Sequence, residues 1–199
     1  YKIEKIVYES MPGFYVTGCL FIPDGIKDKR PAILNVIGHT GIAFRGEVYQ
    51  TMILHLVQKG FIVFAIDPIG QGERLQYYDP EKKASSISGE HSYFGNQCVI
   101  SGVSSGRYFV WDGIRGIDYL VSRKEVDPDK ITVFSQSMGS HWGLGVAAMG
   151  NPIIKANVGA WASYLDKYYI LDTFSPRYKQ LFGYLTGAKS EEELDKIVS

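Results

Sequence analysis

The sequence predicts an α/β fold with a mostly parallel sheet and helices on both of its faces. Three observations predict it. The runs AILNVIG and FIVFAID are apolar without alternation, as in strands buried on both sides. Segments with apolar residues at helical spacing separate these runs from one another and from a third, KITVFS. The composition of the 199-residue chain, 45% apolar and 21% charged, is that of a globular domain rather than a disordered or fibrous one.

Taken in order, KIEKIVYES sets Ile3, Ile6 and Tyr8 among polar residues. Pro12-Gly13 then turns the chain into FYVTGCLFIP, so the opening reads as a β-hairpin or strand pair on the sheet edge. AILNVIG ends at the glycine turn GHTG. Helical period returns in EVYQTMILHLVQKG, with Val48, Met52 and Leu56 on one stripe and Gly60 as the stop. After FIVFAID, the stretch from Pro68 to about Gly106 holds no period and reads as a long excursion with short helices, a type of segment that is often functional. Val110, Ile114, Ile117 and Val121 then mark a helix, and DPDK punctuates before KITVFS. A further helix covers MGSHWGLGVAAMG and ends at Asn151-Pro152. The strand ANVGAWA and a helical tail follow, the tail opened by a capping box from Ser190 to Glu193 ahead of Leu194 and Ile197. No repeat, low-complexity tract or linker divides the chain. We therefore expect one domain over 1–199, with its core in 1–163 and a helical segment in 164–199.

Charge excludes one class of function. The 21 basic residues balance the 21 acidic ones without long blocks, leaving no footprint for nucleic-acid binding. No apolar stretch approaches the ~20 residues of a membrane span, and no leader pattern opens the chain, so a soluble protein with no membrane partner is expected. Cys19 and Cys98 lack metal or redox spacing and read as two free, buried thiols. No grouping of His, Asp, Glu and Cys suggests a metal, and no cofactor is expected. GHTGIAFRG is not a dinucleotide fingerprint.

The sharpest local feature is VFSQSMGSHWG, a strand running into Ser135-Gln136-Ser137-Met138-Gly139 and then a helix. In G-x-S-x-G elbows the turn is so tight that the residues two before and two after the serine are small; Ser135 stands here in place of the first glycine. Such a turn lifts the Ser137 hydroxyl to a helix N-terminus, where a developing anion is favoured. A helix N-cap serine in an ordinary turn is the rival reading. An acyl-transfer site also needs two backbone donors for the oxyanion. Met138 would supply one, and the GHTG loop the other, through His39 or Thr40. Of the remaining histidines, His55 reads as structural and His91, in GEHSYFG, as a pocket residue or ordinary loop packing. His141, one helical turn beyond Ser137, points away from the hydroxyl and is a poor general base.

The succession IGHTG, GFIVFAIDPIGQGER, EHSYFG, RYFVWDGIRGIDYL and SRKEVDPDKITVFSQSMGS resembles the α/β-hydrolase esterases of the acetyl xylan esterase and cephalosporin-C deacetylase group, over about Tyr1 to Tyr169. The resemblance implies the α/β-hydrolase fold and a two-step serine esterase acting on small-molecule or oligosaccharide esters. Ser137 would be its nucleophile, and the N–H groups of Met138 and His39 its oxyanion donors. Asp67, Gly70 and Gly72 match the family's D-x-x-G-x-G segment at the active-site rim, with a plain strand-end turn as the rival reading. Thr40, Arg74, His91 and Tyr93 are the candidate pocket residues. Aromatic residues around Tyr77, Tyr78, Tyr93 and Phe94 would suit sugar stacking or plain packing. A secreted or periplasmic bacterial location is a further expectation from the resemblance.

In this fold an acid and then a histidine follow the nucleophile on later strands. Only 62 residues follow Ser137, and His141 is their one histidine. Asp166 and Asp172 are weak candidates for an early acid. The expectation is therefore a piece of a longer esterase that lacks the C-terminal strands, with a degenerate relative as the rival. A non-catalytic glycan-binding protein and a prolyl-oligopeptidase-like peptidase are the other functional readings of the same scaffold.

Overall fold

The computed structural model describes residues 1–81, 85 and 87–149. Strands β1 (Lys2–Met11) and β2 (Phe14–Ile22) form the expected hairpin, turned at Gly13. They are followed by β3 (Arg30–Val36), α1 (Glu47–Gln58), β4 (Ile62–Ile66), α2 (Ile87–Ile100), α3 (Gly106–Ser122), β5 (Val126–Ser135) and α4 (Gly139–Met149). The sheet order is β1-β2-β4-β3-β5, with β3, β4 and β5 parallel and the hairpin antiparallel on the edge.

Both faces of the parallel strands are covered, which is why their sequences do not alternate. Leu34, Val36, Ile62, Phe64, Ile66, Ile131 and Val133 pack with Ile117 and Leu120 of α3 and Val146 of α4. On the opposite face Ile33, Ile37, Val63 and Ala65 meet Ile53 and Val57 of α1 together with Phe21 and Phe44. Burying one such aliphatic or aromatic side chain contributes about 1.5–3 kcal/mol, so the two layers fix the ends of β3 and β5 beside each other. Cys19 and Cys98 are buried and free. Among the described residues, no helix is long and apolar enough to cross a membrane.

Four sequence expectations shift. On α1 the buried line runs through Ile53 and Val57, flanked by Tyr49, Met52 and Leu56, while Val48 is 73% exposed. Apolar residues at 48, 49, 52, 53, 56 and 57 describe two overlapping stripes, and packing on β4 selects the second. On α3 the buried line is Phe109, Gly113, Gly116, Ile117 and Leu120, with Val121 exposed. A Cβ on Gly113 would collide with Val146, and one on Gly116 would lie 3.2 Å from Leu34 Cδ1. These glycines bring the helix close to its neighbours, and a hydrophobic count cannot register them. The segment DPDK lies inside β5, at the register shift between Arg30 and Ala32 of its partner, rather than before the strand. The excursion after Pro68 contains a four-turn helix, α2, so His91 and Tyr93 are helical. The expected Asn151-Pro152 stop, the strand ANVGAWA, the capping box at Ser190–Glu193, and Asp166 and Asp172 lie outside the described residues.

Candidate active site

Ser137 is the middle of the three residues between β5 and α4, with its backbone at φ +53°. A non-glycine residue in this left-handed region costs about 1–2 kcal/mol, and surrounding packing has to enforce it. A Cβ on Gly139 would collide with the Ile37 carbonyl oxygen and lie 2.6 Å from that of Val36. Only glycine lets α4 begin so close to the end of β3. Ser135 is fully buried beneath the turn, while Ser137 is exposed above the sheet edge. The Ser140 N–H donates to the Ser137 carbonyl at 2.9 Å, closing the first helical turn. Its hydroxyl bonds no described residue.

The GHTG loop lies directly against this elbow. The position a Cβ on Gly38 would take is 2.9 Å from the Gln136 carbonyl oxygen, 2.9 Å from Ser137 Cβ and 2.9 Å from Tyr49 Oη. Loop and elbow therefore touch with no room for a side chain. The Gly38 N–H donates to Tyr49 Oη (2.9 Å), and the Thr40 N–H donates to Gln71 Oε1 (3.1 Å). His39 between them is exposed. Its N–H and that of Met138 donate to no described residue. Of the two loop donors considered from sequence, Thr40 is thus engaged and His39 is not.

The turn after β4 braces this loop. Gln71 is fully buried and donates through Nε2 to the Gly38 carbonyl at 3.0 Å, while the Gly72 N–H donates to the Gly41 carbonyl at 3.0 Å. Gly72 has φ +59°, and a Cβ there would run into the Asp67 carboxylate. Asp67, also fully buried, accepts from Thr17 Oγ1 (2.7 Å), Arg45 Nη1 (2.8 Å) and the Glu73 N–H (3.3 Å). Arg74, 6% exposed, donates through Nη1 to the Asp67 carbonyl (2.9 Å) and to Asp112 Oδ2 on α3 (2.8 Å). Burial pushes the Asp112 carboxyl above the usual carboxylate range in spite of that guanidinium. Arg74, a candidate pocket residue by sequence, is therefore an enclosed brace.

His91 on α2 joins the site from the other side. Its ring stacks on that of His39, with centroids 4.7 Å apart and planes at 27°, and its Nε2 bonds the Ile69 carbonyl at 2.9 Å. Burial pushes the His91 imidazole below its ordinary value, although the Ile69 carbonyl opposes this; the neighbouring His39 adds to the lowering. Tyr93 is exposed and edge-on to Tyr77 at 5.4 Å, away from these contacts. His55 is exposed on α1. His141 belongs to α4, but its side chain lies outside the described set. Among the described residues, no group of three or more metal-ligating side chains gathers. A separate cleft of about 470 Å³ on the β1–β2 edge, lined by Lys5, Phe21, Phe44 and Arg45, includes none of the elbow or loop residues.

Tyr49, Gln71, Asp112 and Glu90 are the positioning residues that sequence reasoning missed. Glu90 is buried and accepts from the N–H groups of Gln76 (2.8 Å) and Tyr77 (2.9 Å) and from the Ser85 hydroxyl, tying α2 to the turn after β4. Gln71 alone carried a signal, a polar side chain between two glycines in DPIGQGER.

Comparison with known proteins bears on the fold and the family. A candidate acetyl xylan esterase from Bacteroides fragilis superposes with a TM-score of 0.65 at 23% identity, over 76% of this chain and 42% of its own. A dienelactone hydrolase-like promiscuous phosphotriesterase from metagenomic libraries gives 0.55 at 18%, over 79% and 60%. A cold-adapted esterase from an Arctic intertidal metagenomic library gives 0.54 at 21%, over 79% and 61%. These likenesses show the α/β-hydrolase fold, and the chain spans about two-fifths of the length of the Bacteroides fragilis protein and three-fifths of the other two. No curated protein matches the sequence. The family model for acetyl xylan esterase matches residues 1–198, and the chain belongs to that family.

Proposed function

We propose that Ser137 is the nucleophile of a two-step esterase that removes a small acyl group, acetyl foremost, from a hydroxyl of a carbohydrate such as xylan or a xylo-oligosaccharide. Ser137 Oγ attacks the ester carbonyl carbon, and its proton passes to a general base that is not identified among the described residues. The N–H groups of His39 and Met138 hold the oxyanion of the tetrahedral intermediate. The bond to the sugar oxygen breaks, the alcohol leaves with the proton, and water then cleaves the acyl-serine to release the carboxylic acid and restore the hydroxyl. The observation that carries this reading is an exposed serine at φ +53° with the Gly38–His39 loop packed against it. Oxyanion donors of this kind are worth about 10²–10³-fold in rate, and they act only if they are not bonded elsewhere. Family membership supports the ester and carbohydrate parts of the reading.

The test uses the full-length protein with a fluorophosphonate probe, p-nitrophenyl acetate and acetylated xylo-oligosaccharides. Wild type is expected to be labelled and to deacetylate the sugars, and Ser137→Ala to lose labelling and at least about 10³-fold in rate. Hydrolysis by Ser137→Ala at the wild-type rate would overturn the assignment. An unlabelled protein that binds the sugars in calorimetry would be a non-catalytic carrier on the same scaffold.

A further inference from the structure

We propose that the Tyr49 hydroxyl is a third donor to the oxyanion, an inference that rests on Ser137 being the nucleophile. Tyr49 lies in the first turn of α1, on a different element from both the elbow and the GHTG loop. Its Oη and Ser137 Cβ are each 2.9 Å from one point, the place a Cβ on Gly38 would occupy, so the hydroxyl and Ser137 both crowd the same glycine. A phenolic hydroxyl both accepts and donates. Here its accepting side is taken by the Gly38 N–H at 2.9 Å. That bond orients the group and turns its proton away from Gly38, and no described residue accepts that proton.

An acyl group on Ser137 Oγ brings its carbonyl oxygen into the space bounded by the elbow, His39 and this hydroxyl. The phenol then donates to the oxyanion while its bond from Gly38 keeps the adjacent His39 N–H in line. Each donor needs the other's geometry. Held in place before the reaction, the hydroxyl needs no reorganisation when charge develops, which is the condition under which such a donor is most effective.

Two variants of the full-length protein test this. Tyr49→Phe keeps the ring and removes the hydroxyl. We expect kcat for p-nitrophenyl acetate to fall about 10- to 100-fold with KM changed less than about twofold, and a boronic acid that forms a tetrahedral adduct on Ser137 to weaken by the same factor. A ring-fluorinated tyrosine at position 49, assayed where its phenol stays protonated, is a stronger donor and a weaker acceptor. Donation to the oxyanion predicts faster turnover and tighter boronate binding; a role confined to holding Gly38 predicts the reverse. Wild-type kcat in Tyr49→Phe, or slower turnover in the fluorinated protein, overturns the proposal. If Tyr49→Phe does not fold, the fluorinated protein decides by the sign of its effect. Full hydrolysis by Ser137→Ala would instead bring down the underlying assignment of the nucleophile.

Discussion

Around Asp67, a carboxylate, two guanidinium groups and a second carboxylate on α3 are drawn together, three of the four buried. Around Ser137, a hydroxyl and two backbone N–H groups sit at the same end of the sheet without a partner among the described residues. The two regions are linked by the turn after β4, where the Gln71 amide and the Gly72 N–H hold the loop of the second. Polar groups that bond one another are closed to a substrate, whereas groups left unbonded at a rigid edge are open to one. The charged cluster is thus scaffold, and the quieter serine turn is the part left open to a substrate in the function we propose.

Removing one partner from the scaffold is expected to produce the largest effect. Arg74→Met leaves Asp112 buried without its counter-charge, and breaking a buried pair costs about 3–5 kcal/mol. Urea unfolding should show that loss, and the double variant Arg74→Met, Asp112→Leu should recover much of it. Undiminished stability in the single variant would erase the contrast between the regions.

Gln71→Ala tests the link between them. It leaves the Gly38 carbonyl and the Thr40 N–H unbonded, a loss of about 1–3 kcal/mol in stability. Ester hydrolysis should fall about tenfold, since 1.4 kcal/mol of lost oxyanion stabilisation is worth that factor. Paired urea and p-nitrophenyl acetate measurements check both, and an unaffected rate would mean that the loop holds itself.

The smallest effect is a slope in stability with pH. The folded-state pKa of His91 is depressed below 6.5, so between that value and the folded one the unfolded chain binds a proton that the folded chain refuses. Stability should therefore fall as pH drops below about 6.5, and His91→Phe should flatten that part of the curve in thermal melts from about pH 8 to 5. A slope unchanged in His91→Phe would place its origin elsewhere.

The strand–turn–helix at Ser137, the GHTG loop packed against it and the three parallel strands were legible because each is written in contiguous residues: apolar runs, small residues around Ser137, glycines around His39. What stayed hidden acts between segments. The amide of Gln71 and the phenol of Tyr49 have meaning only through Gly38, 33 and 11 residues away in sequence. Asp112 lies in an otherwise apolar helical line, where composition predicts an exposed charge, and only Arg74 explains its burial. The helix α2 lacked a readable apolar stripe because it exposes Tyr93, Val99 and Ile100 while burying Glu90.

The order of these parts along the chain has a consequence for synthesis. The side-chain hydrogen bonds that brace the GHTG loop come from Tyr49 and Gln71, and Thr17 and Arg45, which hold Asp67, lie earlier in the chain. A chain emerging N-terminus first therefore makes the residues that brace this loop more than sixty residues before Ser137. The Ser137 turn is the late arrival, delivered against a loop whose hydrogen-bonding side chains were made well before it.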